Sequence, residues 1–324
     1  MTDNHHQAAA DHRASVGRLT QRAAIASVCT AALLIGIKAY AAWRTGSVAM
    51  LASLADTGLD FGASLMTLFG VRLAAQPADH DHRFGHGKAE ALVALFQVAL
   101  IAASALAIFA RAVQRLVASA PTADAEFGII ASLIAIGLTL GLLAYQRHVI
   151  AKTDSVAIRA DHVHYQSDLA LNIAVIVALA LDHFLGWAGA DPVFGLAIAL
   201  WLLWGAWRSS NAAIDQLMDK EWPEERRRAF VEVASRHPAV RGLHDLRTRT
   251  SGSHDFVQFH VWVDPQMSVA AAHDVVERIE RDLGAEFPGT EVFIHLDPEG
   301  HIDHPGNDLV EADLVAKLKE LKPL

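Results

Sequence analysis

A bundle of six membrane-spanning helices followed by a small cytoplasmic α+β domain is the fold class this sequence predicts, on three observations. Of its 324 residues 52% are hydrophobic and mean hydropathy is +0.26, too apolar for an ordinary soluble chain of this length. The apolar residues are concentrated: Ala91 to Ala110 and Phe127 to Tyr145 run without a charge, each long enough to cross a hydrocarbon core. After Met218 the composition turns polar and strand-like alternation appears between two amphipathic stretches. The expected partition is a polar tail over 1–18, a transmembrane domain over 19–215, a cytoplasmic domain over 216–299 and a mobile tail over 300–324.

The expected spans run from Leu19 to Trp43, Val48 to Leu73, Ala89 to Leu116, Phe127 to Gln146, Val156 to Leu185 and Pro192 to Ile214. Trp43, Trp187, Trp204 and Trp207 stand near span ends, as interfacial aromatic anchors do. Arg13, Arg18, Arg22, Arg72, Arg83, Lys88, Arg147, Lys152 and Arg159 collect on one side. Arg44, Arg111 and Arg115 stand on the other, so the bias places both termini in the cytoplasm. The opening residues through Asp11 are polar with no apolar core, so no cleaved signal peptide is expected.

In the soluble part Pro223 suits the first turn of a helix reaching Arg236. Leu243 to Thr250 and Phe256 to Val263 alternate as strands around Ser251-Gly252-Ser253. Val269 to Phe287 reads as helix and Glu291 to Asp297 as a third strand, giving an α-β-β-α-β order. A net charge of −9 and a pI near 6.0 argue against nucleic acid as a partner. The single cysteine, Cys29, excludes an internal disulfide and argues against a thiolate metal site.

The chemistry concentrates in two spans. Asp56 and Asp60 lie four apart in the second, His164 and Asp168 four apart in the fifth, so each pair stacks on one helix face. An ionised carboxylate at the bilayer centre costs roughly 3 kcal/mol, so three would cost about 9 uncompensated. Lys38, the one basic residue well inside a span, lies near its outer end and can snorkel out. The four groups therefore point to a bound divalent metal, Zn²⁺ first, with Cd²⁺, Fe²⁺, Co²⁺ and Mn²⁺ also compatible. The alternative is a set of structural acids paired with neighbouring helices.

Two further clusters follow. In "QPADHDHRFGHGKAE" the residues Asp79, His82 and His86 have ligand-like spacing, with His80 and Asp81 as further donors and Gly85 and Gly87 permitting a tight backbone; a solvated loop is the competing reading. In the soluble domain a hairpin centred on Gly252 makes paired numbers sum to 504, which sets His244 opposite His260. Val257, Phe259, Val261 and Val263 then face a core, as do Val292, Ile294 and Leu296. His244, His260, His295 and Asp297 share the other face, and His273 on the following helix is a possible fifth ligand. His5, His6, His12, His301 and His304 read as exposed tail residues.

"SVAMLASLADTGLD", "QPADHDHRFGHGKAEAL", "RADHVHYQSDLALN" and "HDLRTRTSG" together resemble the cation diffusion facilitator family, nearest its bacterial zinc/proton antiporter or ferrous-iron efflux branch. The resemblance covers about Leu19 to Asp297. It implies a homodimer in the bacterial inner membrane that exports divalent metal in exchange for protons, with a metallochaperone-like cytoplasmic domain. By position it implies a transport site of Asp56, Asp60, His164 and Asp168 and a loop site of Asp79, His82 and His86. It also implies a binuclear site of His244, His260, His273, His295 and Asp297, and a structural salt bridge from Lys88 to Asp219. The N-terminal histidines and the "HIDHPG" tail have no counterpart in the family pattern.

Antiport follows physically from the first cluster: carboxylates left crowded and poorly hydrated when a metal leaves cannot all remain ionised, so protons take its place. His164 is the natural group to exchange a proton near neutral pH. A membrane metalloenzyme would need an open coordination position and a general base, and the chain has no HExxH. A metal sensor that does not transport would leave the intramembrane acids without a use.

Overall fold

The computed structural model describes residues 2–45, 48–117, 126–185, 190–301 and 313–321. It divides into two compact units, Gly17–Ile214 and Asp215–Leu324 with Met1–Val16. The side chains of His5, His6 and His12, and all of Trp187 and His304, lie outside the described residues.

The first unit is helical: α1 (Thr2–Thr45), α2 (Val48–Ala74), α3 (Ala89–Val117), α4 (Glu126–Thr153), α5 (Val156–Leu185) and α6 (Ala190–Leu217). The first helix starts well before the expected span. The alanine-rich opening holds no glycine or proline before Gly17, so nothing breaks the helix that the span begins. Helix α4 likewise continues past Gln146 as far as Thr153. Among the described residues four helices are long and apolar enough to cross a membrane: Ala14–Arg44, Ala89–Gln114, Leu133–Thr153 and Pro192–Leu217. Helix α2 carries the Asp56–Asp60 pair and α5 the His164–Asp168 pair. Helix α5 packs on α2, α3 and α4, which encloses its polar stripe in protein.

Small residues set the helix spacing. A Cβ added at Gly70 would run into Val93, so the α2–α3 approach depends on glycine there. Ala23 and Ala24 of α1 pack with Val71, Val149, Ala157 and Ile158. Val98, Ile101 and Ala105 of α3 pack with Leu202 and Ala206 of α6. Trp43, Trp204 and Trp207 are exposed on this unit, as side chains facing lipid or its interface would be.

The second unit contains α7 (Glu224–Ala234), β1 (Gly242–Ser251), β2 (His254–Val263), α8 (Val269–Glu286), β3 (Thr290–Pro298) and α9 (Leu314–Leu321). The sheet order is β1-β2-β3, with β1 antiparallel and β3 parallel to β2, so α8 is the crossover that parallel pairing requires. Ser268 caps α8 by accepting the Ala271 N–H at 3.2 Å. Phe230, Phe259, Val261, Val275, Ile279 and Leu283 form the core, packed also by Val292, Ile294 and Leu296 as the alternation predicts. The expected mobile tail needs correction: α9 is a helix lying against α7 and β1, and Leu314 joins the core. An apolar spacing of Leu314, Val315 and Leu318 supplies the burial that orders it.

Candidate metal centres

Within the bundle, α2 supplies Asp60 and α5 supplies His164 and Asp168. His164 Nε2 lies 3.2 Å from Asp60 Oδ1 and 3.8 Å from Asp168 Oδ2, and one ligand atom from each residue falls within 4.8 Å of the others. That nitrogen is buried without a well-formed hydrogen bond, as a lone pair awaiting a metal would be. Asp56 sits one turn from Asp60 and is exposed. It lines a partly open cavity together with Asp60, Asp168, Tyr165 and Asn172, but stands outside the three-residue cluster. Oxygen donors with one imidazole suit a divalent borderline or hard metal.

Two residues change the sequence-based picture of this region. Lys38 does not snorkel outward: its ammonium donates to Thr57 Oγ1 at 2.6 Å and lines the cavity of the acids. Asp161, fully buried on α5, is a further carboxylate that the pairwise spacing argument passed over. It accepts hydrogen bonds from Ser27 Oγ (2.6 Å), Gln146 Nε2 (2.7 Å) and Gln97 Nε2 (3.0 Å), drawing α1, α3 and α4 onto α5. Gln97 also donates to Thr67 of α2, and Tyr165 Oη donates to the Ser27 carbonyl at 3.1 Å. The signal was available: Asp161, His164, Tyr165, Asp168 and Asn172 form one stripe at helical spacing.

The loop between α2 and α3 folds around Asp79. Its Oδ1 accepts the backbone N–H groups of His82 (2.6 Å) and Asp81 (3.0 Å). The His82 hydrogen bond foremost holds this carboxyl below its ordinary range, so it stays ionised. His82 Nδ1 and His86 Nε2 approach Asp79 at 3.3 and 3.4 Å. Gly85, at φ +79°, makes the turn that returns His86 to the aspartate. His80 and Asp81 are exposed and stand outside this group.

On the sheet, His260 Nδ1 and His244 Nε2 meet Asp297 Oδ2 at 2.8 and 3.3 Å, and His295 Nε2 meets Asp297 Oδ1 at 3.3 Å. His244, His260 and Asp297 form the compact group, and His295 is more exposed at its edge. His244 pairs with His260, but not through a hairpin of constant register. Next to the turn Ser251 pairs with His254 and the sum is 505; a bulge at Asp245 and Leu246 removes one, giving 504 at His244. The bulge also leaves Asp245, at φ +47°, on the histidine face 3.8 Å from His260, where strict alternation would point it at the core. His273 is exposed on α8 beside Glu277 at 3.5 Å and apart from the cluster. Asp219 lies 3.7 Å from the Arg249 guanidinium. His301 is exposed, and its carbonyl accepts the Trp262 indole N–H at 2.7 Å.

Residues 24–218 match the family model of the cation efflux transmembrane domain, and 222–299 match that of the cation efflux protein cytoplasmic domain. The cation-efflux pump FieF of Escherichia fergusonii is 44% identical over 284 residues, covering 88% of this chain and 94% of that protein. FieF of Escherichia coli O1:K1 gives the same figures. A solved chain of the zinc transporter CzrB in its zinc form is 38% identical, covering 26% of this chain and 97% of that one, with a TM-score of 0.24.

Proposed function

We propose, from the premise that this chain belongs to the cation efflux family and is a membrane transporter rather than an enzyme, that it exports a divalent metal, Zn²⁺ foremost, in exchange for protons. The observation that carries the reading is the His164 nitrogen held between Asp60 and Asp168, two carboxylates that line one cavity with Asp56. A dication there would take the imidazole lone pair and carboxylate oxygens. On its departure protons neutralise the acids left behind, and alternating access exposes the same ligands to each side in turn.

The loop group of Asp79, His82 and His86 would capture metal close to the entrance of α3. His244, His260 and Asp297, with His295 beside them, would hold regulatory ions that join two protomers into a homodimer. His273 would join them only by turning away from Glu277. A Lys88–Asp219 bridge would tie the membrane part to the cytoplasmic part, with both termini in the cytoplasm and the bundle in a bacterial inner membrane.

The test is metal flux into proteoliposomes under an imposed pH gradient, with Zn²⁺, Cd²⁺, Fe²⁺ and Mn²⁺ in turn. Asp60→Ala should remove at least about 100-fold of the flux, since one of few charged ligands is lost. Undiminished flux in that variant, or flux indifferent to the pH gradient, would overturn the assignment.

A further inference from the structure

Lys38 is the cation of the transport cavity that metal binding does not explain. A lysine in a span ordinarily extends its ammonium towards water. Here the side chain turns inward to Thr57, itself 2% exposed and seated between Asp56 and Asp60 on α2. Lys38, Asp56, Asp60 and Asp168 line one cavity.

The formal charges then close. Three ionised carboxylates carry −3, a dication reduces this to −1, and the Lys38 ammonium brings the loaded cavity to zero. We propose that Lys38 is a tethered counter-charge of the transport site: it neutralises the carboxylate charge that the metal leaves over, limits how tightly the metal is held, and so favours its release. The proposal rests on the transport-site reading above and deepens it. Metal and ammonium repel inside a poorly screened cavity, so the lysine weakens binding. In the empty cavity it lowers the cost of gathering three acids, which keeps the ligands convergent between metals. Thr57 fixes where that charge sits, and the distance of the charge from Asp60 and Asp168 sets the size of the effect.

Equilibrium Zn²⁺ titration of the full-length protein in nanodiscs, paired with proteoliposome efflux, tests this. Asp60→Ala identifies the binding component that belongs to the membrane site. At that component Lys38→Met and Lys38→Gln should bind Zn²⁺ at least about tenfold more tightly and turn over more slowly at saturating metal. Lys38→Arg, which restores the charge, should return both quantities towards those of the unaltered protein. Unchanged or weaker binding in both neutral variants overturns the proposal, as does an arginine variant that behaves like the methionine one. If Asp60→Ala removes no binding component at all, the transport-site reading itself fails and this proposal falls with it.

Discussion

Asp60 and Asp161 are both carboxylates inside the helical bundle, held by opposite means. Asp60 faces an open cavity, a quarter of its side chain exposed, with the His164 imidazole at 3.2 Å and an Asp168 carboxylate oxygen within 4.8 Å. Asp161 is sealed from solvent and saturated by a hydroxyl and two amides from three other helices. The first environment suits a ligand that gains and loses an ion; the second suits a fastener. Asp161→Ala leaves buried donors unmatched and should lower the stability of the purified protein by about 3 kcal/mol. Asp60→Ala should change it by less than about 1 kcal/mol while removing flux. Thermal unfolding of the two variants in one detergent separates the roles, and equal melting temperatures would remove the distinction. The Asp56–Asp60 pair of α2 and the His164–Asp168 pair of α5 were legible from spacing four, because that spacing is a property of any helix. The enclosure of Asp161 was not, because it depends on what α1, α3 and α4 bring to it.

Strand β1 shows how an element can satisfy an expectation by an unexpected route. Counting from a turn centred on Gly252 pairs His244 with His260, and the two do pair. The hairpin starts one number out of that register, and the bulge restores it. The bulge also does something that counting could not supply: it puts Asp245 beside His260. An aspartate tolerates the left-handed backbone at that position better than residues without a polar side chain. Asp245→Ala should therefore destabilise the cytoplasmic domain by about 1 kcal/mol, and Asp245→Gly should recover the backbone part of that loss. Denaturant unfolding of the full-length protein followed at the domain's tryptophans would read it. An alanine variant as stable as the glycine one would show that the bulge carries no strain.

At the scale of the molecule, a family of membrane exporters accounts for 24–218 and 222–299, and the chain continues beyond both. Part of that continuation is structural: α9 closes over the cytoplasmic core through Leu314, with Val315 and Leu318 packed beside it. Ending the chain after Gly300 should cost the cytoplasmic domain about 2 kcal/mol, the worth of one buried leucine, while leaving Asp60-dependent Zn²⁺ binding in the membrane intact. Loss of that binding on truncation would assign the tail a role beyond packing.

Periodicity and residue chemistry alone determined that this chain crosses a membrane as helices, ends in a mixed sheet, and gathers aspartate and histidine in three places. These are local properties, fixed by 3.6 residues per helical turn, 2 per strand and the cost of charge in lipid. Tertiary structure decided that Lys38 turns in rather than out, that Asp161 is a sealed hub, that Asp245 joins the histidine face and that α9 packs. Each of those outcomes depends on the rotation of one element against another, and the free energy that selects it comes from contacts between residues far apart in the chain.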